Sequence, residues 1–124
     1  MGKNLTGAYA KRKGNAYERQ IAKELRELGF EGCVTSRSES KAMDNNKIDL
    51  IDTEGKLPFY AQLKKTQNTP SYAKISAECS LKDKPFVIFW NIQEKKDSKC
   101  VSKGEIVMIP KEYFYELLKA QLCK

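Results

Sequence analysis

The chain contains no histidine. That absence excludes Ser-His-Asp and Cys-His nucleophilic sites, histidine general bases and nearly every histidine-containing metal centre, so hydrolytic chemistry here would need carboxylates, lysine and a hard metal ion. The four cysteines, Cys33, Cys79, Cys100 and Cys123, form no C-x-x-C pair; that spacing favours buried reduced thiols over a zinc site or a disulfide framework. No apolar run approaches the roughly 20 residues of a membrane span, and the opening "MGKNLTGAYAKRKG" lacks the apolar centre of a signal peptide. The expectation is a cytoplasmic protein, of a prokaryotic cell or a virus-infected host cell, with no membrane partner.

What is present points to one domain over residues 1–124, long enough to bury a core without staples. Lys and Arg total 23 against 16 Asp and Glu, a net charge of +7, which favours a polyanionic partner because neutralising phosphates releases their condensed counterions. Residues 1–14 carry Lys3, Lys11, Arg12 and Lys13 among glycines and read as a basic, mobile arm.

Beyond it, Asn15 with Glu18 three residues on forms a capping-box pattern, followed by the stripe Ile21, Leu25, Leu28 and a stop at Gly29. A short strand over 33–36, a polar loop over 37–47 and strands over 48–52 and 59–64 come next, the last two joined by a turn around 53–56. Residues 72–81 read as a helix, and "FVIFWNI" (86–92) reads as a buried strand parallel to its partner across the helical crossover. "QEKKDSKCVSKG" reads as a solvated connection and 105–109 as a last strand. After Pro110 a helix is expected to bury Phe114, Leu117, Leu118 and Leu122. The order is α-β-β-β-α-β-β-α, an α/β domain with a mixed central sheet flanked by helices.

The unusual feature lies in "NNKIDLIDTEGKLPFYAQLKK" (45–65), where Asp49, Gln62 and Lys64 interrupt strands that otherwise call for burial. If the turn sets Asp52 opposite Leu57, Asp49 faces Tyr60, and alternation puts Tyr60, Gln62 and Lys64 on its side of the sheet. Asp49 and Gln62 are then diagonal neighbours at roughly 7–8 Å. Mg²⁺ takes one or two carboxylates plus carbonyls and waters; Asp49, the Gln62 amide oxygen and the Leu63 carbonyl make such a set, with Glu18 able to reach it. Lys64 could orient or deprotonate an attacking water. Ordinary explanations exist for each residue: Glu18 as a capping side chain, Asp49 at a solvent-facing edge, Gln62 and Lys64 on a polar outer face, and Arg37, Ser38, Lys41 and Lys65 as plain surface residues.

"KGNAYERQIAKELRELGF", "NNKIDLID" and "YAQLKK" together resemble the PD-(D/E)XK nuclease superfamily, and most closely the archaeal-type Holliday junction resolvases. The resemblance implies a restriction-endonuclease-like fold and Mg²⁺-dependent (Mn²⁺ as substitute) cleavage of four-way DNA junctions by a homodimer making paired nicks. It assigns Glu18, Asp49, Gln62 and Lys64 to catalysis, with Glu18, Asp49, Gln62 and the Leu63 carbonyl on the metal. The DNA contacts are expected from Lys11, Arg12, Lys13, Arg37, Ser38, Lys41 and Lys65. One departure stands out: Gln62 replaces the usual glutamate of E-x-K, removing a formal negative charge from the metal, and Asp44, Asp52 or Glu54 are nearby acids that could compensate. Other outcomes are an Mrr-like or repair nuclease acting on duplex or single strands, or an inactive DNA-binding module; a tRNA-splicing endonuclease is disfavoured by the missing histidine.

Overall fold

The computed structural model describes residues 2–123, with the side chains of residues 2–13, Ser38 and Glu39 outside the description. A long helix α1 (Gly2–Leu28) leads into strand β1 (Cys33–Thr35), two short helices α2 (Ser36–Glu39) and α3 (Lys41–Asn45), and strands β2 (Leu50–Asp52) and β3 (Tyr60–Thr66). Helix α4 (Tyr72–Glu78), the strands β4 (Phe86–Lys96) and β5 (Lys99–Met108) and helix α5 (Lys111–Leu122) complete the chain. The five strands form one sheet in sequence order, antiparallel except for the β3–β4 pair, which is parallel across α4. This is the expected mixed-sheet α/β architecture, consistent with a restriction-endonuclease-like fold.

Alternation along β3 and β4 sorts the apolar side chains onto the two faces of the sheet. Ala61, Leu63 and Val87 pack with Tyr17, Ile21, Leu25 and Leu50 beneath α1, whereas Phe86 and Ile88 pack with Ile48 and Cys79 on the α4 side. Helix α1 ends where expected: Gly29 has φ +123°, and Phe30 N donates to the Leu25 carbonyl at 3.0 Å. Gly32 is required for a different reason. A Cβ there would stand 2.5 Å from Asp52 Oδ1 and 2.9 Å from Glu54 N, so β1 meets the β2–β3 turn only because the side chain is missing.

Several expectations fail for identifiable reasons. Asn15 lies inside α1, which is already helical from Gly2, so Asn15 and Glu18 do not form a capping box at a helix start. The polar 37–47 segment is not all loop: Ser40 Oγ accepts from Met43 N and caps α3. The "solvated connection" is the far half of a β4–β5 hairpin, paired as Glu94↔Val101 and Lys96↔Lys99 and turned at Asp97 with φ +55°; apart from the buried Gln93, its polar side chains suit strands that project into water. Helix α5 buries only Tyr113, while Phe114, Leu117, Leu118 and Leu122 are exposed. All four thiols are free, as expected, but only Cys33 and Cys79 are buried, and burial pushes the Cys33 thiol up to about 11.

Candidate metal-binding and nuclease site

Three polar side chains that ordinary readings would leave in water are instead buried: Glu18 at 5% exposure, Asp49 at 5% and Gln62 at 8%. The backbone explains how they meet. The β2–β3 register is Leu50↔Ala61, two residues away from the one expected, so Asp49 lies directly across from Gln62 and not from Tyr60. A two-residue slip preserves the face, as a one-residue slip would not. Asp49 N donates to the Ala61 carbonyl at 2.7 Å, which locks the acid beside β3. Its Oδ2 then accepts two hydrogen bonds, from Leu63 N at 2.8 Å and Gln62 Nε2 at 2.9 Å.

Arg37 arrives from the other side. Thr35 pairs with Leu50 and Ser36 N donates to the Asp49 carbonyl at 2.8 Å, so the first turn of α2 starts against the site. The Arg37 guanidinium grips Glu18 with both prongs, Nε to Oε1 at 3.0 Å and Nη2 to Oε2 at 3.2 Å. That fork holds Arg37 still more firmly protonated than usual. Beside the pair opens a cleft of about 280 Å³ lined by Asn15, Glu18, Arg19, Thr35 and Arg37.

The electrostatics of Asp49 are those of a carboxylate held where an anion is costly. Burial pushes its pKa up to about 6, and repulsion from Glu18 adds to this, while the Leu63 N–H, the Gln62 amide and Arg37 pull the other way. A divalent cation would relieve that penalty. The donor chemistry fits one: two carboxylates, the Gln62 amide oxygen left over once Nε2 has turned to Asp49, and the Leu63 carbonyl are hard oxygen ligands of the number and kind Mg²⁺ accepts. Among the described residues no three His, Cys, Asp or Glu side chains cluster as a metal cage, so an amide and a carbonyl would have to complete any set.

The remaining expected residues divide. Lys64 follows Gln62 by two positions on the same face and is half-buried, whereas Lys65 alternates to the α1 face opposite Asn91. Lys41 is exposed at the start of α3. The side chains of Lys11, Arg12, Lys13 and Ser38 lie outside the described residues. Among the described residues none of the alternative acids joins the site by contact: Asp52 accepts from Glu54 N, Lys56 N and Leu57 N in the turn, and Glu54 pairs with Lys56. Asp44 lies in α3, near enough to Arg37 to act on its charge. The sequence reading passes over Ser36, fully buried with a hydroxyl that has no hydrogen-bond partner among the described residues, and takes Asn15 only as a helix cap, although its Oδ1 is likewise buried without one among them.

Neither a curated protein nor a solved structure matches the chain. A family profile does: the archaeal Holliday junction resolvase (Hjc) family matches residues 9–79, more than half of the chain and the stretch that carries Glu18, Arg37, Asp49, Gln62 and Lys64. On that match the chain belongs to the archaeal Holliday junction resolvase family of nucleases.

Proposed function

We propose that this protein is a divalent-metal-dependent endonuclease that cleaves four-way DNA junctions by paired nicks, acting as a homodimer. The observation that carries the reading is the burial of Asp49 beside Gln62 and within electrostatic reach of Glu18, where burial and the second acid make its negative charge costly. Glu18, Asp49, the Gln62 amide oxygen and the Leu63 carbonyl would hold Mg²⁺, with Mn²⁺ as a substitute, and the bound ion would supply Lewis-acid charge stabilisation and a more acidic water. Lys64, on the same face, orients the attacking water and offsets the negative charge that builds on the phosphate. Arg37 and Lys41 hold phosphates near the site, with Lys11, Arg12, Lys13, Ser38 and Lys65 assigned to flanking DNA. The net charge of +7 draws the polyanion in and makes its binding salt-dependent. A two-fold dimer would present two such sites to opposing strands.

One observation favours a second reading, an inactive DNA-binding module: the Gln62 amide is already hydrogen-bonded to Asp49, satisfying the acid without a metal. Cleavage of a four-way junction, a linear duplex and a single strand, at equal concentrations and with Mg²⁺ or Mn²⁺, separates the possibilities. The proposal expects metal-dependent nicking of the junction above the other two. Equal cutting of all three rejects junction specificity, and junction binding with no cutting in either metal establishes the module.

A further inference from the structure

The Arg37–Glu18 pair is placed oddly for either partner. Glu18, whose side chain is only 6% exposed, would serve a cation, and Arg37, at 41%, would serve a phosphate; in this structure each satisfies the other. We propose that Arg37 is a latch that makes metal binding and DNA binding depend on one another. Resting on the metal-dependent reading above, the inference concerns what Arg37 does before substrate arrives. The guanidinium holds both oxygens of the carboxylate that the metal needs, and it also places a positive charge close enough to Asp49 to act on it. A divalent ion must therefore displace one charge-assisted fork and approach against a fixed cation. A phosphate at the mouth of the site offers Arg37 an equivalent bidentate partner. The adjoining cleft, lined by Asn15, Arg19 and Thr35, gives the guanidinium room to swing out of the carboxylate's way.

Once Arg37 turns to phosphate, Glu18 is released to the ion. Metal and DNA thereby strengthen each other, and linkage requires the effect to be reciprocal. The resting protein binds metal weakly, and the complete site assembles only where a DNA backbone lies across it. The anchoring of Ser36 N to the Asp49 carbonyl fixes the latch's base, so the motion is confined to the Arg37 side chain.

Two titrations on the full chain test this. In the first, Mn²⁺ binding without DNA is followed by electron paramagnetic resonance. Arg37→Gln is expected to bind Mn²⁺ about tenfold more tightly than the parent, with Arg37→Lys, which keeps the charge but not the two-point grip, in between. In the second, binding of a four-way junction in EDTA is compared. Glu18→Gln, which frees Arg37, is expected to bind severalfold more tightly than the parent, and the gain should vanish in the Glu18→Gln/Arg37→Gln double variant. Unchanged Mn²⁺ affinity in Arg37→Gln, with binding still abolished by Asp49→Asn, overturns the latch and leaves the nuclease reading standing. A Glu18→Gln gain that survives in the double variant overturns it too, since simple loss of a negative charge then explains the result. No Mn²⁺ binding in any protein overturns both.

Discussion

Asp52 and Asp49 lie three residues apart on the same stretch of chain, yet they are used in opposite ways. Asp52 sits half-buried at the turn, and its carboxylate receives three backbone N–H groups, from Glu54, Lys56 and Leu57. Asp49 is buried deeper, has a second acid for a neighbour and receives one backbone N–H and one amide. The first acid closes the hairpin; the second strains it. An identical side chain thus contributes stability at one end of the strand and gives it up at the other, and such local loss is the usual mark of a binding site.

The largest expected difference between the two is catalytic. Asp49→Asn should lower metal-dependent junction cleavage by at least about 10²–10³-fold and Lys64→Ala by a comparable factor, whereas Asp52→Asn should leave the rate of folded protein within a few-fold; quantified nicking assays read both. Stability should follow the reverse order. Asp52→Ala removes the acceptor of three turn N–H groups, of which only that of Leu57 is partly buried, and is expected to cost about 1–2 kcal/mol in urea unfolding, while Asp49→Asn should stabilise the metal-free protein.

The sign and pH window of that gain follow from the Asp49 carboxyl. It titrates at about 6 in the folded chain against an ordinary 3.8, so folding favours its protonated form. Its favourable contribution is complete below about pH 4 and is lost as the pH rises through 6. Above that pH Asp49→Asn should therefore gain about 2–3 kcal/mol over the parent, and below pH 4 the two should converge; unfolding curves at pH 4 and pH 8 distinguish the cases. Gly32→Ala forces a methyl onto Asp52 and the Glu54 backbone and is expected to cost about 2 kcal/mol. Least affected should be α5, where Leu118→Lys alters a side chain already half in water and should shift stability by under about 0.5 kcal/mol.

The contrast also explains what the sequence could reveal. Elements whose pattern is set by burial were legible: the Ile21 and Leu25 stripe of α1, the parallel crossover from β3 to β4 and the apolar β4 itself all lie where periodicity put them. The face shared by Asp49 and Gln62 was legible because a period of two survives an error of two in register. The register itself is not, because the Asp52 carboxylate gathers the N–H groups of Glu54, Lys56 and Leu57 into a longer turn, and composition marks a turn at Asp52 without fixing how many residues it spans. Only the outer part of the β4–β5 hairpin, beyond 92 and before 105, reads as a loop, because most of its side chains lie in water and have the composition of one. Helix α5 misled in the opposite direction: Phe114, Leu117, Leu118 and Leu122 have the spacing of a buried stripe, but the domain supplies no surface for them. Arg37 reads from the sequence as a phosphate contact; its place on Glu18 depends on Ser36 being tied to Asp49, which only the fold brings about.

The central claim is that Asp49, Glu18, Gln62 and the Leu63 carbonyl converge on one divalent ion. An anomalous difference map from a crystal grown with Mn²⁺ tests it without reference to activity. The account predicts a single strong peak within coordinating distance of the Asp49 carboxylate and the Leu63 carbonyl, with Arg37 turned away from Glu18. A map with no peak there, or with the ion seated on Asp52 or elsewhere on the surface while Asp49 keeps Gln62 as its partner, would contradict it.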